Sequence, residues 1–254
     1  MTPPHAAEID PAVSGPSGPE PAWLPRLAGK FVVFDGPDGS GKSTQFKRLH
    51  DAAARAGLTV CDVREPGGTA VGERVRAILL DPVHDEMTVR CEMLLYMASR
   101  AQLVEQRVRP ALARGELVLA DRFISSTLAY QGAAGGLPRD EIVAVGRAAC
   151  AGVEPDLVVI FDVDEATAAA RLAPAVSVKP GKKPRAGGSM DAGASLFSDR
   201  MERKGVEFRA KVREGYLSQA REWPQRYAVI DARANADEVT GALMKALRER
   251  LCGA

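Results

Sequence analysis

Cysteine, histidine and asparagine are all scarce in this chain, and the shortages remove whole classes of function. Of 254 residues only four are cysteines, Cys61, Cys91, Cys150 and Cys252, and no two form a C-x-x-C pair. With just three histidines, His5, His50 and His84, to join them, neither a disulfide framework nor a zinc site is expected to organise the fold, and a reducing compartment is expected. Asn235 is the only asparagine, so the N-K-x-D sequence with which GTPases read guanine cannot occur. The one D-x-x-G run, Asp38 to Gly41, falls in a place that will be needed for something else. Apolar runs such as Leu157-Val-Val-Ile-Phe161 fall far short of the roughly 18 to 20 residues that span a bilayer, so no membrane partner is expected. The formal charge is +1, which gives nucleic acid no overall basic field to bind. The N-terminus lacks a basic stretch followed by an apolar one and does not read as a secretory signal, so a cytoplasmic protein is expected.

What is present describes an ordinary globular protein, 46% apolar and 26% charged. Residues 1–29 hold seven of the 17 prolines, and this Pro/Gly-rich stretch is expected to be a flexible extension preceding a domain over 30–254. Phe31-Val-Val-Phe34 reads as a strand stopped by a glycine-rich turn, and Lys42 to Ala56 as a helix closed by Gly57. Leu58 to Val63, Glu116 to Ala120, Leu157 to Phe161 and Tyr227 to Ile230 read as further strands, near-continuously apolar as in strands buried on both faces. Helical segments lie between them. The expected fold is therefore α/β, a doubly wound parallel sheet of about five strands flanked by helices.

Gly36-Pro37-Asp38-Gly39-Ser40-Gly41-Lys42-Ser43 matches G-x-x-x-x-G-K-[ST] between an expected strand and an expected helix, the context a phosphate-binding P-loop requires. Glycines let backbone N–H groups turn inward around phosphate oxygens, and the helix N-terminus adds partial positive charge. Lys42 is expected to reach the β- and γ-phosphates of ATP, with Ser43 ligating Mg2+ and Thr44 completing the loop. A P-loop alone does not choose among kinases, GTPases and ATP-driven machines, but with the guanine motif missing an ATP-using enzyme leads.

Between Arg171 and Arg213 the local charge is +7, and Pro174 to Ser198 is rich in Gly, Pro, Ser and Ala. The stretch at about 171–200 is expected to be a basic lid insertion, followed by a helix from about Asp199 to Arg221.

Arg64-Glu-Pro-Gly-Gly-Thr69, Glu92-Met-Leu-Leu-Tyr-Met-Ala-Ser-Arg100, Asp121-Arg122-Phe123 and Ser125-Ser-Thr-Leu-Ala-Tyr-Gln-Gly132 follow the P-loop in order, and Asp199-Arg-Met-Glu202 and Val212-Arg-Glu-Gly-Tyr216 come later. Together they resemble bacterial thymidylate kinases, P-loop nucleoside monophosphate kinases. The resemblance implies phosphoryl transfer from ATP to dTMP, giving dTDP and ADP, with Mg2+ as cofactor and a homodimer as the assembly. It implies that Arg122 holds the acceptor phosphate with Arg64 as a second clamp, that Asp38 faces the ribose 3′-hydroxyl, and that Asp121 lies near Mg2+. It places Tyr96 against the base, Arg100, Thr127 and Gln131 on the base edge, and Tyr130 where a ribose 2′-hydroxyl would fall. The chain departs from the family at Gly39, where some members carry an arginine. The charge that develops during transfer is therefore expected to meet a lid arginine, Arg185 or Arg200, with Arg171 behind them. The alternatives are another P-loop nucleoside monophosphate or deoxynucleoside kinase, or a catalytically silent nucleotide-binding regulatory module.

Overall fold

The structure, a computed structural model, describes residues 20–172 and 205–253. Five strands form one parallel sheet: β1 (Phe31–Asp35), β2 (Val60–Arg64), β3 (Leu117–Asp121), β4 (Leu157–Asp162) and β5 (Tyr227–Asp231), in the order β2-β3-β1-β4-β5. The register pairs Phe34 of β1 with Asp121 of β3 and with Val159 of β4, so β1 ends at the centre of the sheet. The chain leaves β1 toward β2 on one side and leaves neighbouring β3 toward β4 on the other, which makes the adjacent carboxyl ends of β1 and β3 the switch point where α/β sheets bind ligands.

The apolar strands are buried on both faces, as their composition requires. Val32, Phe34, Leu119, Val159 and Phe161 pack beneath α1 (Lys42–Arg55) and the C-terminal helix, while Phe31, Val33, Val118, Val158 and Ile160 pack on the other side with Phe123 and Tyr216. The remaining helices are α2 (Ala70–Leu80), α3 (Val89–Leu103), α4 (Arg109–Ala113), α5 (Ile124–Thr127), α6 (Arg139–Cys150), α7 (Glu165–Leu172), α8 (Gly205–Glu222) and the C-terminal α9 (Ala236–Leu247). A π-helical stretch, Leu128–Ala134, continues α5.

Packed structure begins before Lys30. Leu24 and Leu27, in a short 3-10 turn, are fully buried in the same core cluster as Leu243 and Leu247 of α9. Residues 20–29 thus belong to the fold and not to an extension. Pro25 is the second residue of that turn, so here a proline sits in the first positions of regular structure instead of preventing it. The rest of the expected extension, 1–19, lies outside the described residues, as do 173–204, which hold most of the expected lid with Arg185 and Arg200. The helix expected from Asp199 is described from Gly205. Among the described residues no helix is long and apolar enough to cross a membrane.

Candidate active site

The loop leaving β1 has the shape its glycines allow. Gly36 has φ +133°, and a Cβ there would lie 2.5 Å from the Phe161 carbonyl oxygen. Gly39 has φ +77°, and a Cβ would lie 2.7 Å from the Ala168 carbonyl oxygen. These two positions exclude other residues by contact as well as by backbone conformation. Lys42 opens α1, is buried, and donates from Nζ to the Gly36 and Pro37 carbonyls at 2.9 Å each. Burial disfavours its charge, as does the Arg122 guanidinium, and together they lower its pKa below the usual lysine value. Ser43 and Thr44 follow it, exposed at the helix start.

Arg122 is the centre of the site. It immediately follows β3 and has φ +70°, a left-handed conformation rare for a residue with a side chain. Its N–H bonds to the Phe34 carbonyl at 2.9 Å, which anchors the turn to β1. Its Nη2 donates to Asp38 Oδ1 at 2.5 Å, and its Nη1 donates to Ser126 Oγ at 3.1 Å and to the Tyr216 hydroxyl at 3.2 Å. The guanidinium also lies over the Tyr130 ring, 5.2 Å from its centre, within cation–π range. Burial pulls the Asp38 carboxyl upward, but the Arg122 and Lys42 charges outweigh it and hold its pKa below 3.8.

Beside Arg122 opens a pocket lined by Glu65, Tyr96, Arg100, Phe123, Thr127, Tyr130 and Gln131, among others. Arg100 is 1% exposed and donates from Nε and Nη2 to Glu65 Oε2 at 2.8 and 2.5 Å, from Nη2 to Thr127 Oγ1 at 3.2 Å and from Nη1 to Met97 Sδ at 2.9 Å. A guanidinium carries five N–H groups, so this arrangement leaves one on Nη1 for a ligand. Gln131 Nε2 is tied to Glu92 Oε1 at 2.6 Å. Tyr96 is half-buried on the pocket wall.

The expected base-side residues Tyr96, Arg100, Thr127, Tyr130 and Gln131 thus meet in one pocket with Arg122. Arg64 does not line it. It is exposed and paired with Glu73 of α2 at 3.2 Å. Arg171, the reserve candidate for the lid, instead donates to the Ala232, Arg233 and Ala234 carbonyls at 2.7, 3.1 and 3.3 Å. Asp121 Oδ1 is buried with no hydrogen-bond partner among the described residues, which suits an oxygen ligand for a cation or its water shell.

Three residues given no role from the sequence sit at the heart of the site. Asp35, the last residue of β1, is fully buried beside Arg122, and Tyr216 reaches it from α8. Glu65 is 4% exposed on the pocket wall, its Oε1 lacks a partner among the described residues, and burial raises its pKa to about 7 against the opposing pull of Arg100. Glu65 and Tyr216 were visible inside runs resembling the family, but nothing in a single sequence says that strand ends and a distant helix converge.

A family model described as thymidylate kinase matches residues 34–242. The chain belongs to the thymidylate kinase family. A thymidylate kinase from Pelotomaculum thermopropionicum is 44% identical over 225 residues, covering 89% of this chain and 95% of its own. One from Caldanaerobacter subterraneus subsp. tengcongensis is 41% identical over 228 residues, covering 90% and 99%. The crystal structure of thymidylate kinase from Ehrlichia chaffeensis superposes with a TM-score of 0.64 at 28% identity, covering 86% of this chain and 98% of that one. The α/β sheet expected from the strand pattern is thus a thymidylate kinase fold.

Proposed function

We propose that the P-loop takes ATP and that the pocket between α3 and α5 takes dTMP, with Arg122 between them. As a thymidylate kinase, the enzyme transfers a phosphoryl group from ATP to dTMP, giving dTDP and ADP, a step of dTTP synthesis. A phosphate oxygen of dTMP attacks the γ-phosphorus while the bond to the oxygen bridging toward ADP breaks, and the protein's part is to align the two and to meet the charge that spreads in between. The observation that carries the assignment is the reach of Arg122: one guanidinium contacts Asp38 of the P-loop and lines the acceptor pocket. That is where a planar, bidentate phosphate clamp belongs.

Lys42 would exchange its loop carbonyls for β- and γ-phosphate oxygens. Thymine would lie against Tyr96, with its carbonyl toward the remaining Arg100 Nη1 proton and its polar edge toward Thr127 and Gln131. Tyr130 would close the sugar side against a 2′-hydroxyl. Arg64 can serve as a second clamp only by leaving Glu73, an exchange costing under about 1 kcal/mol for an exposed pair. Mg2+ would be held by Ser43 and Asp121 and would neutralise phosphate charge when bound. Among the described residues there is no cluster of three or more His, Cys, Asp or Glu that could hold a metal ion, so phosphate oxygens would supply much of its shell. Arg185 or Arg200 would supply the lid arginine that Gly39 cannot.

A cytoplasmic homodimer is part of this reading. Val71 and Ile78 on α2 and Leu94 on α3 are 52%, 43% and 49% exposed, large apolar side chains that self-association could cover. The clamp is tested by Arg122→Ala, which should raise the KM for dTMP and lower kcat. An effect confined to the KM for ATP would move Arg122 to the donor side.

A further inference from the structure

Tyr216 stands on α8, more than ninety residues from Arg122 in sequence, yet its hydroxyl meets the clamp directly. It donates to Asp35 Oδ1 at 2.6 Å and accepts from Arg122 Nη1 at 3.2 Å. Ser126 Oγ makes the same two contacts, donating to Asp35 Oδ1 at 2.6 Å and accepting from Arg122 Nη1 at 3.1 Å. Ser125 Oγ donates to Asp35 Oδ2 at 2.6 Å, and the Gly36 N–H donates to Oδ1 at 3.2 Å. Asp35 and Tyr216 are both fully buried.

A hydroxyl has one proton and two lone pairs. The Asp35 carboxylate accepts from these hydroxyls, and Ser126 Oγ and the Tyr216 hydroxyl also lie 2.8 Å apart, so their protons stay within this cluster and their lone pairs face the guanidinium. The carboxylate itself stays 3.8 Å from Arg122 Nη1. Two neutral oxygens, oriented by a buried charge, thereby fix one edge of Arg122, and Asp38 holds the other.

The seat of α8 makes this a fixed arrangement. Gly215 lies so close to the π-helical stretch after α5 that a Cβ would come within 2.7 Å of Ala133 Cβ and 3.0 Å of Ala129 Cα. Arg213 forks onto Asp162 of β4 at 2.6 and 2.8 Å, and Gln219 Nε2 donates to the Ser125 carbonyl at 3.1 Å. The run Val212 to Tyr216 therefore does one job in three parts: Arg213 and Gly215 dock the helix, and Tyr216 delivers a hydroxyl to the site.

We infer that Tyr216, oriented by Asp35, is a positioning residue for Arg122, so that acceptor-phosphate binding depends on how α8 is seated. This rests on the reading of Arg122 as the acceptor clamp. The two are separated by measuring Tyr216→Phe and Arg122→Ala side by side, with dTMP and ATP varied in turn. Losing one oxygen acceptor of a charged donor should cost about tenfold in kcat/KM for dTMP, with the KM for ATP within about twofold of wild type and the melting temperature little changed. The double variant Tyr216→Phe/Arg122→Ala should be no worse than Arg122→Ala alone, because Tyr216 acts through the arginine. A crystal structure of Tyr216→Phe should show the guanidinium displaced from Ser126. Tyr216→Phe that leaves dTMP kinetics intact, or that weakens ATP equally, overturns the inference while leaving the clamp standing. An Arg122→Ala enzyme with unchanged dTMP kinetics overturns both.

Discussion

Glu65→Gln should abolish a pH dependence of stability that the wild-type protein carries between about pH 8 and pH 5.5. Glu65 packs at the end of β2, where its partners are Arg100 from α3 through Oε2, with the Asp35 carboxylate of β1 raising its pKa further and Cys150 of α6 feeling its charge. Desolvation dominates and the pKa rises from 4.5 to about 7. A carboxyl with a raised pKa binds more protons in the folded state than in the unfolded one, so the wild type gains stability as pH falls through 7 toward 4.5. Each pH unit between those two values is worth about 1.4 kcal/mol, so the whole difference is about 3 kcal/mol, of which about 2 kcal/mol falls between pH 8 and pH 5.5. Asp38, Asp51 and Glu73 are displaced the other way, below 3.8 or 4.5, so their opposing contributions fall at lower pH. Urea unfolding of both proteins across this range is the assay. Near pH 5.5, where Glu65 is protonated and Arg100 faces a neutral partner in both proteins, the variant should be about as stable as the wild type; near pH 8 it should be spared the cost of the buried carboxylate, so its stability should lack the wild type's rise on acidification. Parallel pH profiles for the two proteins would refute the assignment of a raised pKa to Glu65.

Lys42→Ala should nearly abolish transfer and leave the fold intact, because it removes a charge set against the transferring phosphate and little core volume; wild-type turnover with a normal circular dichroism spectrum would count against the P-loop's role. Tyr130→Ala should relax discrimination between dTMP and ribosyl-TMP, measured as the ratio of their kcat/KM values, and an unchanged ratio would remove the ring from sugar selection.

The sheet and the P-loop were legible because both are local. Five apolar runs ending in Asp35, Asp121, Asp162 and Asp231, or in the Val63-Arg64 pair, read directly as buried parallel strands, with boundaries displaced by only one or two residues. The base-side pocket was legible only through family resemblance, since nothing in the spacing of Tyr96, Arg100 and Thr127 alone distinguishes a ligand wall from a helix core. The burial of Leu24 and Leu27 was obscured by the prolines around them. The roles of Asp35, Glu65 and Tyr216 arise from convergence of β1, β2 and α8, and a single chain records no such long-range contact.

The central claim is tested most directly by coupled ADP release with ATP and Mg2+, offering dTMP, dUMP, dCMP, AMP, GMP and thymidine as acceptors. The structure predicts rapid turnover with dTMP and none of thymidine, which lacks the phosphate for Arg122 to hold. Turnover that favours another nucleotide, or ADP release indifferent to the acceptor, would contradict it.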